Sequence, residues 1–206
     1  PKAMRNGIII TVLFACLIGS SLLFYAGWEL IIVGLLCVLF AFLYTTGPYP
    51  LSYNGWGDIL VIVFFGFVPV GGTYYVQALT WTTDTTIASL ICGLLIDTLL
   101  VVNNYRDREA DARSGKRTVI VRFGEKFGSY LYLMLGMTAS LLCFWFLFEG
   151  HLYAALLPLL YLIPHFLTWK RMVRIHSGKK LNSILGETSR NMLLMGILLS
   201  IGFFLN

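Results

Sequence analysis

The sequence predicts an all-α integral membrane protein, one domain over residues 1–206 built as a bundle of seven transmembrane helices. Three observations predict it. Apolar residues make up 58% of the chain and charged residues 12%, about half the charged share of soluble domains, so there is too little polar surface to cover the chain in water. Apolar runs near the ~20 residues that cross a bilayer recur along the sequence. Every Lys and Arg falls in three hydrophilic segments that alternating crossings put on one side.

Lipid offers no partner to a free N–H or C=O, so each run is expected to be a helix. The first, 7–24, follows Lys2 and Arg5 and is too firmly one of a series to be a signal peptide. The chain opens on Pro1 rather than Met, from which a trimmed or incomplete N-terminus is expected. The second run, 28–46, leads into a loop, 45–58, that lacks Lys and Arg. The third, 59–80, should kink at Pro69, Gly71 and Gly72. It places Thr73 and Gln77 on one face, where Gln77 either bonds a neighbouring helix or touches a substrate. The fourth, 86–104, carries Asp97 well inside the membrane. The fifth and sixth, 128–149 and 152–169, are joined near Glu149 and His151, and Pro158 and Pro164 should disturb the sixth. His165 reads as structural. The seventh, 190–205, is short. Cys16, Cys37, Cys92 and Cys143 lie inside the runs without CxxC spacing and read as buried free thiols.

The cations divide cleanly. Two precede the first run, seven lie between the fourth and fifth, and six lie between the sixth and seventh. The positive-inside rule makes that side cytoplasmic, so the loops 105–127 and 170–190 are expected there. The net charge of +5 sits between apolar runs, which favours anionic lipid or a phosphorylated substrate over nucleic acid.

The densest charge is in NNYRDREADARSGKRT, Asn103 to Thr118. Asp107 and Asp111 are four apart and face the same way on a helix. Such a pair suits Mg²⁺, which binds through one or two carboxylates and substrate phosphates. Lys116, Arg117 and Arg122 follow and can neutralise a leaving diphosphate. Asn103 and Asn104 stand at the membrane edge, placed to bond phosphate or orient a ligand. A mixed loop of this kind also serves simply to solvate a membrane protein. Asp97, seven residues before Asn104 and fourteen before Asp111, extends a polar stripe into the membrane. The alternative for Asp97 is a protonated carboxyl bonded to a neighbouring helix.

The pattern N-N-Y-R-D-x-x-x-D with G-K-x-T and R-F-G resembles the second aspartate motif of the UbiA superfamily of intramembrane aromatic prenyltransferases. The nearest branch is the 1,4-dihydroxy-2-naphthoate polyprenyltransferases. YTTGPYPLSYNGWGD (44–58), FFGFVPVGGTYYVQ (64–77) and LNSILGETSRNMLLMGILLS (181–200) resemble that branch as well. The resemblance implies nine transmembrane helices around a central cavity, in a bacterial inner (cell) membrane. It implies Mg²⁺-dependent ionisation of a polyprenyl diphosphate and alkylation of an aromatic acceptor, here dihydroxynaphthoate with loss of CO₂, in menaquinone biosynthesis. It implies that Asp107 and Asp111 hold the metal and diphosphate, and that Asn103, Asn104, Arg106, Lys116 and Thr118 hold phosphate or position the loop. Tyr44 matches the loop tyrosine.

Two features depart from the family. Its first aspartate-rich motif is missing from this chain, and the runs number seven. Both are expected if the family's first two helices are absent, and the 206 residues alone are then expected to be inactive. Tyr44 is followed by no basic residue through Asp58, unlike the 4-hydroxybenzoate branch. Another aromatic acceptor and a membrane transporter lined by Asp97 and Gln77 stay open. An alcohol phosphotransferase lacks its D-G-x-x-A-R opening here.

Overall fold

A computed structural model describes residues 2–205, so Pro1 and Asn206 lie outside the described residues. All regular structure among the described residues is helical. Seven helical spans follow the apolar runs: α1 (Lys2–Ala26), α2 (Glu29–Thr45), α3 (Gly57–Ala78), α4 (Thr83–Arg113), α5 (Val119–Phe148), α6 (Leu152–Ile175) and α7 (Lys179–Phe204). Six are long and apolar enough to cross a membrane, and the 17-residue α2 is the shorter one. The protein is a multi-pass helical membrane protein.

Two spans outrun their apolar signal. α7 begins at Lys179 rather than near 190 because Glu187, Thr188 and Asn191 turn into the protein rather than toward lipid. α4 continues to Arg113, and its 31 residues reach ~46 Å. That is longer than the ~30 Å hydrocarbon core, so its charged end projects beyond it.

Proline and glycine act where expected. Around Pro69 the hydrogen bonding of α3 widens into a π-helix over Ile62–Gly71. Pro158 starts a 3₁₀ segment, Leu157–Tyr161, inside α6. α3 and α4 touch backbone to backbone: a Cβ on Gly66 would lie 2.5 Å from the Ser89 carbonyl oxygen, and one on Gly93 would lie 2.9 Å from Ile62 Cα.

α4 is the axis of the bundle. Ile91, Val101, Val102 and Tyr105 on it are almost wholly buried, packed with Tyr132 and Ala139 of α5 and with Ile184 and Met195 of α7. α1 and α2 are peripheral, with no buried residue in Lys2–Ser20 or Glu29–Thr45. The thiols follow this layout. Only Cys143 is buried in protein, while Cys16 is exposed on α1, because the outer face of a membrane helix is as apolar as its inner one. His165 is structural, as expected. It is stacked between the rings of Tyr132 and Tyr161, with Nδ1 2.9 Å from the Tyr161 hydroxyl and Nε2 3.2 Å from the Leu133 carbonyl.

The connections gather at two ends. At the basic end the Arg117 amide donates to the Tyr53 carbonyl (2.7 Å), the Arg122 guanidinium to the Asn54 carbonyl (2.8 Å), and the Arg108 guanidinium to the His176 carbonyl (3.0 Å). The loop without Lys or Arg thus takes its positive partners from the connection after α4. At the opposite end the Trp145 indole donates to Asp84 Oδ1 (2.7 Å).

Candidate active site

The site is built where α4 stops. Gly115 adopts φ +77, a conformation that costs a glycine little. The Lys116 amide then reaches back to the Asp111 carbonyl (2.9 Å) and the Gly115 amide to the Ala112 carbonyl (3.2 Å). This pair of bonds is a Schellman cap. It folds Lys116 over the helix end, where its Nζ lies 3.5 Å from Asp111 Oδ1. Asp111 is 9% exposed, and its Oδ2 is buried without a hydrogen-bond partner.

One turn earlier, Arg106 is a hub. Its Nε and Nη2 grip both oxygens of Asp107, at 2.7 and 2.6 Å. Nη2 also donates to Asn103 Oδ1 (2.7 Å), and Nη1 to Asn182 Oδ1 (2.9 Å) at the start of α7. The side chain of Asp107 is 38% exposed at the mouth, so of the two aspartates it is the more accessible. The predicted polar stripe is present: Asp97, Asn104 and Asp111 are all buried along α4, and Asp97 Oδ1 also lacks a partner.

Below the charged mouth lies an apolar cavity of about 560 Å³ between α2, α3 and α4. Cys37, Phe40, Phe64, Val61 and Leu100 line it, and Tyr44 stands among them. The rings of Phe40 and Phe64 are 5.2 Å apart. The Tyr44 hydroxyl would lie 3.5 Å from a Cβ placed on Gly57, and Asp58 and Asp97 are the acidic residues in its neighbourhood. Asp58 is a site residue that sequence reading passed over. It lies in the first turn of α3, far along the chain from Asp97, and no spacing rule joins them.

The donors fit a divalent cation that a diphosphate helps to hold. Among the described residues no three His, Cys, Asp or Glu cluster as a protein-only metal site. Two carboxylates one turn apart, one with an orphaned buried oxygen, match the chemistry of Mg²⁺, which takes few protein ligands and completes its shell with phosphate and water.

The model of the UbiA prenyltransferase family matches residues 2–203. The chain belongs to that family. It is 33% identical over 221 residues to the 1,4-dihydroxy-2-naphthoate octaprenyltransferase of Escherichia coli, covering 100% of this chain and 69% of that protein. It is 33% identical to the Haemophilus influenzae protein of the same name, over 99% of this chain and 68% of that one. It is 37% identical to the Mycobacterium tuberculosis protein of that name, over 70% of this chain and 49% of the relative. No solved structure matches the chain significantly.

Not every residue selected in this UbiA-family chain joins the site. Gln77 lies at the opposite end of α3 from the charged mouth, is exposed, and donates to the Thr73 carbonyl of its own helix (3.1 Å). The structure does not bring it to the aspartates. The Thr118 hydroxyl accepts from the Val121 amide (3.3 Å) and caps α5, so its placement is that of a helix cap. Arg122 is turned to Asn54, and Arg117 contributes its backbone amide to the same loop. A second network had no sequence signal. Gly124, at φ +88, breaks the start of α5 and turns Glu125 toward the end of α4. There Glu125 accepts from the Tyr105 hydroxyl (2.8 Å) and the Arg108 guanidinium (3.1 Å), and it pairs with His176.

Proposed function

We propose that the protein transfers a polyprenyl group from a polyprenyl diphosphate to 1,4-dihydroxy-2-naphthoate, releasing diphosphate and CO₂, as a step of menaquinone biosynthesis in a bacterial cell membrane. The observation that carries this is the aspartate pair set among Arg106 and Lys116 directly above an apolar cavity. Anionic head and apolar tail are the two halves of the donor. The names of the three relatives supply the acceptor.

Asp107 and Asp111 would hold Mg²⁺, which when bound neutralises diphosphate charge. Arg106 and Lys116 bond the diphosphate oxygens and stabilise the charge that grows as the allylic C–O bond breaks and its electron pair leaves with oxygen. Asn103 and Asn182 hold Arg106 in place. Phe40 and Phe64 line the cavity that would take the allylic chain, where aromatic faces favour a cation and keep water away. The ring carbon bearing the carboxylate attacks, a C–C bond forms, and the C–CO₂ bond breaks with its electrons returning to the ring. Tyr44, Asp58 and Asp97 are the groups available to bond the acceptor's hydroxyls. The charged mouth is cytoplasmic in this reading.

Membranes carrying the complete protein, given labelled polyprenyl diphosphate, are expected to prenylate dihydroxynaphthoate in a Mg²⁺-dependent reaction that releases CO₂. Product from 4-hydroxybenzoate alone would overturn the acceptor. Solute flux in proteoliposomes without donor, and no prenylated product, would favour the transporter.

A further inference from the structure

We infer that the cleft between α6 and α7 at the basic end binds the headgroup of an anionic glycerophospholipid from the bilayer. The cleft has a volume of about 480 Å³, and its lining includes Lys170, Arg171, Arg174, Glu187 and Arg190. Four cations thus meet one carboxylate. That carboxylate is committed: Glu187 Oε1 accepts from Arg171 at 2.7 Å. Lys170, Arg174 and Arg190 have no carboxylate within ion-pair distance among the described residues. Lys170 lies over the ring of Phe166, its Nζ 4.5 Å from the centroid, which holds the ammonium at the membrane boundary. The floor is closed by a buried bond from Asn191 Nδ2 to Thr168 Oγ1 (3.0 Å).

The shape of the ligand is written along both helices. On α6 the positions 163, 167, 170 and 174 share a face, and Ile163 and Leu167 are 63% and 55% exposed. On α7 the positions 190, 193, 197 and 201 share a face, and Leu193 is 65% exposed. Each face is basic at the charged end and apolar toward the membrane interior. A soluble anion would use only the first part of each stripe. A phospholipid uses both, its phosphate among the three unpaired cations and its acyl chains along the exposed apolar residues. The cleft shares no lining residue with the Asp107–Asp111 site and has no aspartate pair of its own, so the prenyl donor is the poorer fit.

The test is lipid selectivity in nanodiscs of phosphatidylcholine doped with phosphatidylglycerol, read by native mass spectrometry of retained lipid. Retention of phosphatidylglycerol over phosphatidylcholine is expected at about tenfold, from several cations each attracting the headgroup. The triple variant Lys170→Gln, Arg174→Gln, Arg190→Gln is expected to fall below about twofold, and Lys126→Gln, an exposed cation in the first turns of α5, to keep the preference. Millimolar inorganic phosphate should not compete, nor should farnesyl diphosphate with Mg²⁺. Equal retention of both lipids, a triple variant that keeps the preference, or displacement by either competitor would overturn the assignment. Unchanged thermal unfolding of the variants in a neutral detergent shows that their loss is not unfolding. If the triple variant does unfold, the three single variants replace it, and the assignment is overturned if none of them lowers the preference.

Discussion

Replacing Asp111 with Asn should make the protein more stable and less able to hold its donor. Three effects act on this carboxylate in the folded chain. Its Oδ2 is buried with no partner, which costs ~1–3 kcal/mol. It lies in the last turns of α4, where the helix dipole disfavours a negative charge by ~0.3–1 kcal/mol. Against these, Lys116 at 3.5 Å returns ~0.2–1 kcal/mol, the value of a pair that water still reaches. The amide removes the charge but keeps a buried polar atom, so only part of the penalty is relieved. The expected gain is about 0.5–2 kcal/mol, or a rise of ~1–8 °C in thermal unfolding for a chain of this length. Mg²⁺-dependent retention of polyprenyl diphosphate, measured on the same sample, should fall at least about tenfold. A variant that unfolds earlier while still binding donor would refute the reasoning, because Asp111 would then be an ordinary structural residue.

Other perturbations follow from the same geometry. Arg106→Gln removes the grip on Asp107 and the tie to Asn182, and should weaken donor retention about tenfold or more while costing only ~1 kcal/mol of stability, since the pair is partly exposed. Intact retention would show that Arg106 is a strut only. Gly136→Ala would drive a Cβ into the His165 ring at Nε2 and force the imidazole off the Leu133 carbonyl. A loss of ~1–3 kcal/mol is expected, with a favourable coupling when His165→Ala is added, read from a thermal double-mutant cycle. Additive losses would refute it.

How much of this was legible in the sequence depended on whether a residue faced lipid or protein. The seven runs were readable because lipid demands apolar surface along nearly every face of a spanning helix. The start of α7 was not, because Glu187, Thr188 and Asn191 look like loop residues until the bundle buries them. Asp107 and Asp111 were readable because both sit on one helix at one-turn spacing. Asp58 was not, because its nearness to Asp97 depends on α3 and α4 meeting through Gly66 and Gly93. Gln77 shows the converse. A buried amide was a fair reading of an apolar run, yet its helix turn is at the far end and faces outward.

The charges of the mouth imply that metal and diphosphate bind together. Arg108 is committed to Glu125 and Arg122 to Asn54, while Arg106 and Lys116 are the cations whose side chains pair with Asp107 and Asp111. Two cations and two anions leave the mouth near neutral. A diphosphate arriving alone meets two carboxylates, and a divalent cation arriving alone meets a guanidinium and an ammonium. Arriving together, the anion takes Arg106 and Lys116 while the cation takes the released aspartates. Their affinities must then be reciprocally coupled, by a factor of roughly 5–150 if the coupling is of ordinary size. Titrating farnesyl diphosphate at fixed Mg²⁺ levels, and Mg²⁺ at fixed diphosphate, should give the same factor, and Asp107→Asn should shrink it. Donor affinity that does not change with Mg²⁺ would mean that the aspartates never leave their basic partners, and the metal role assigned to them would fall.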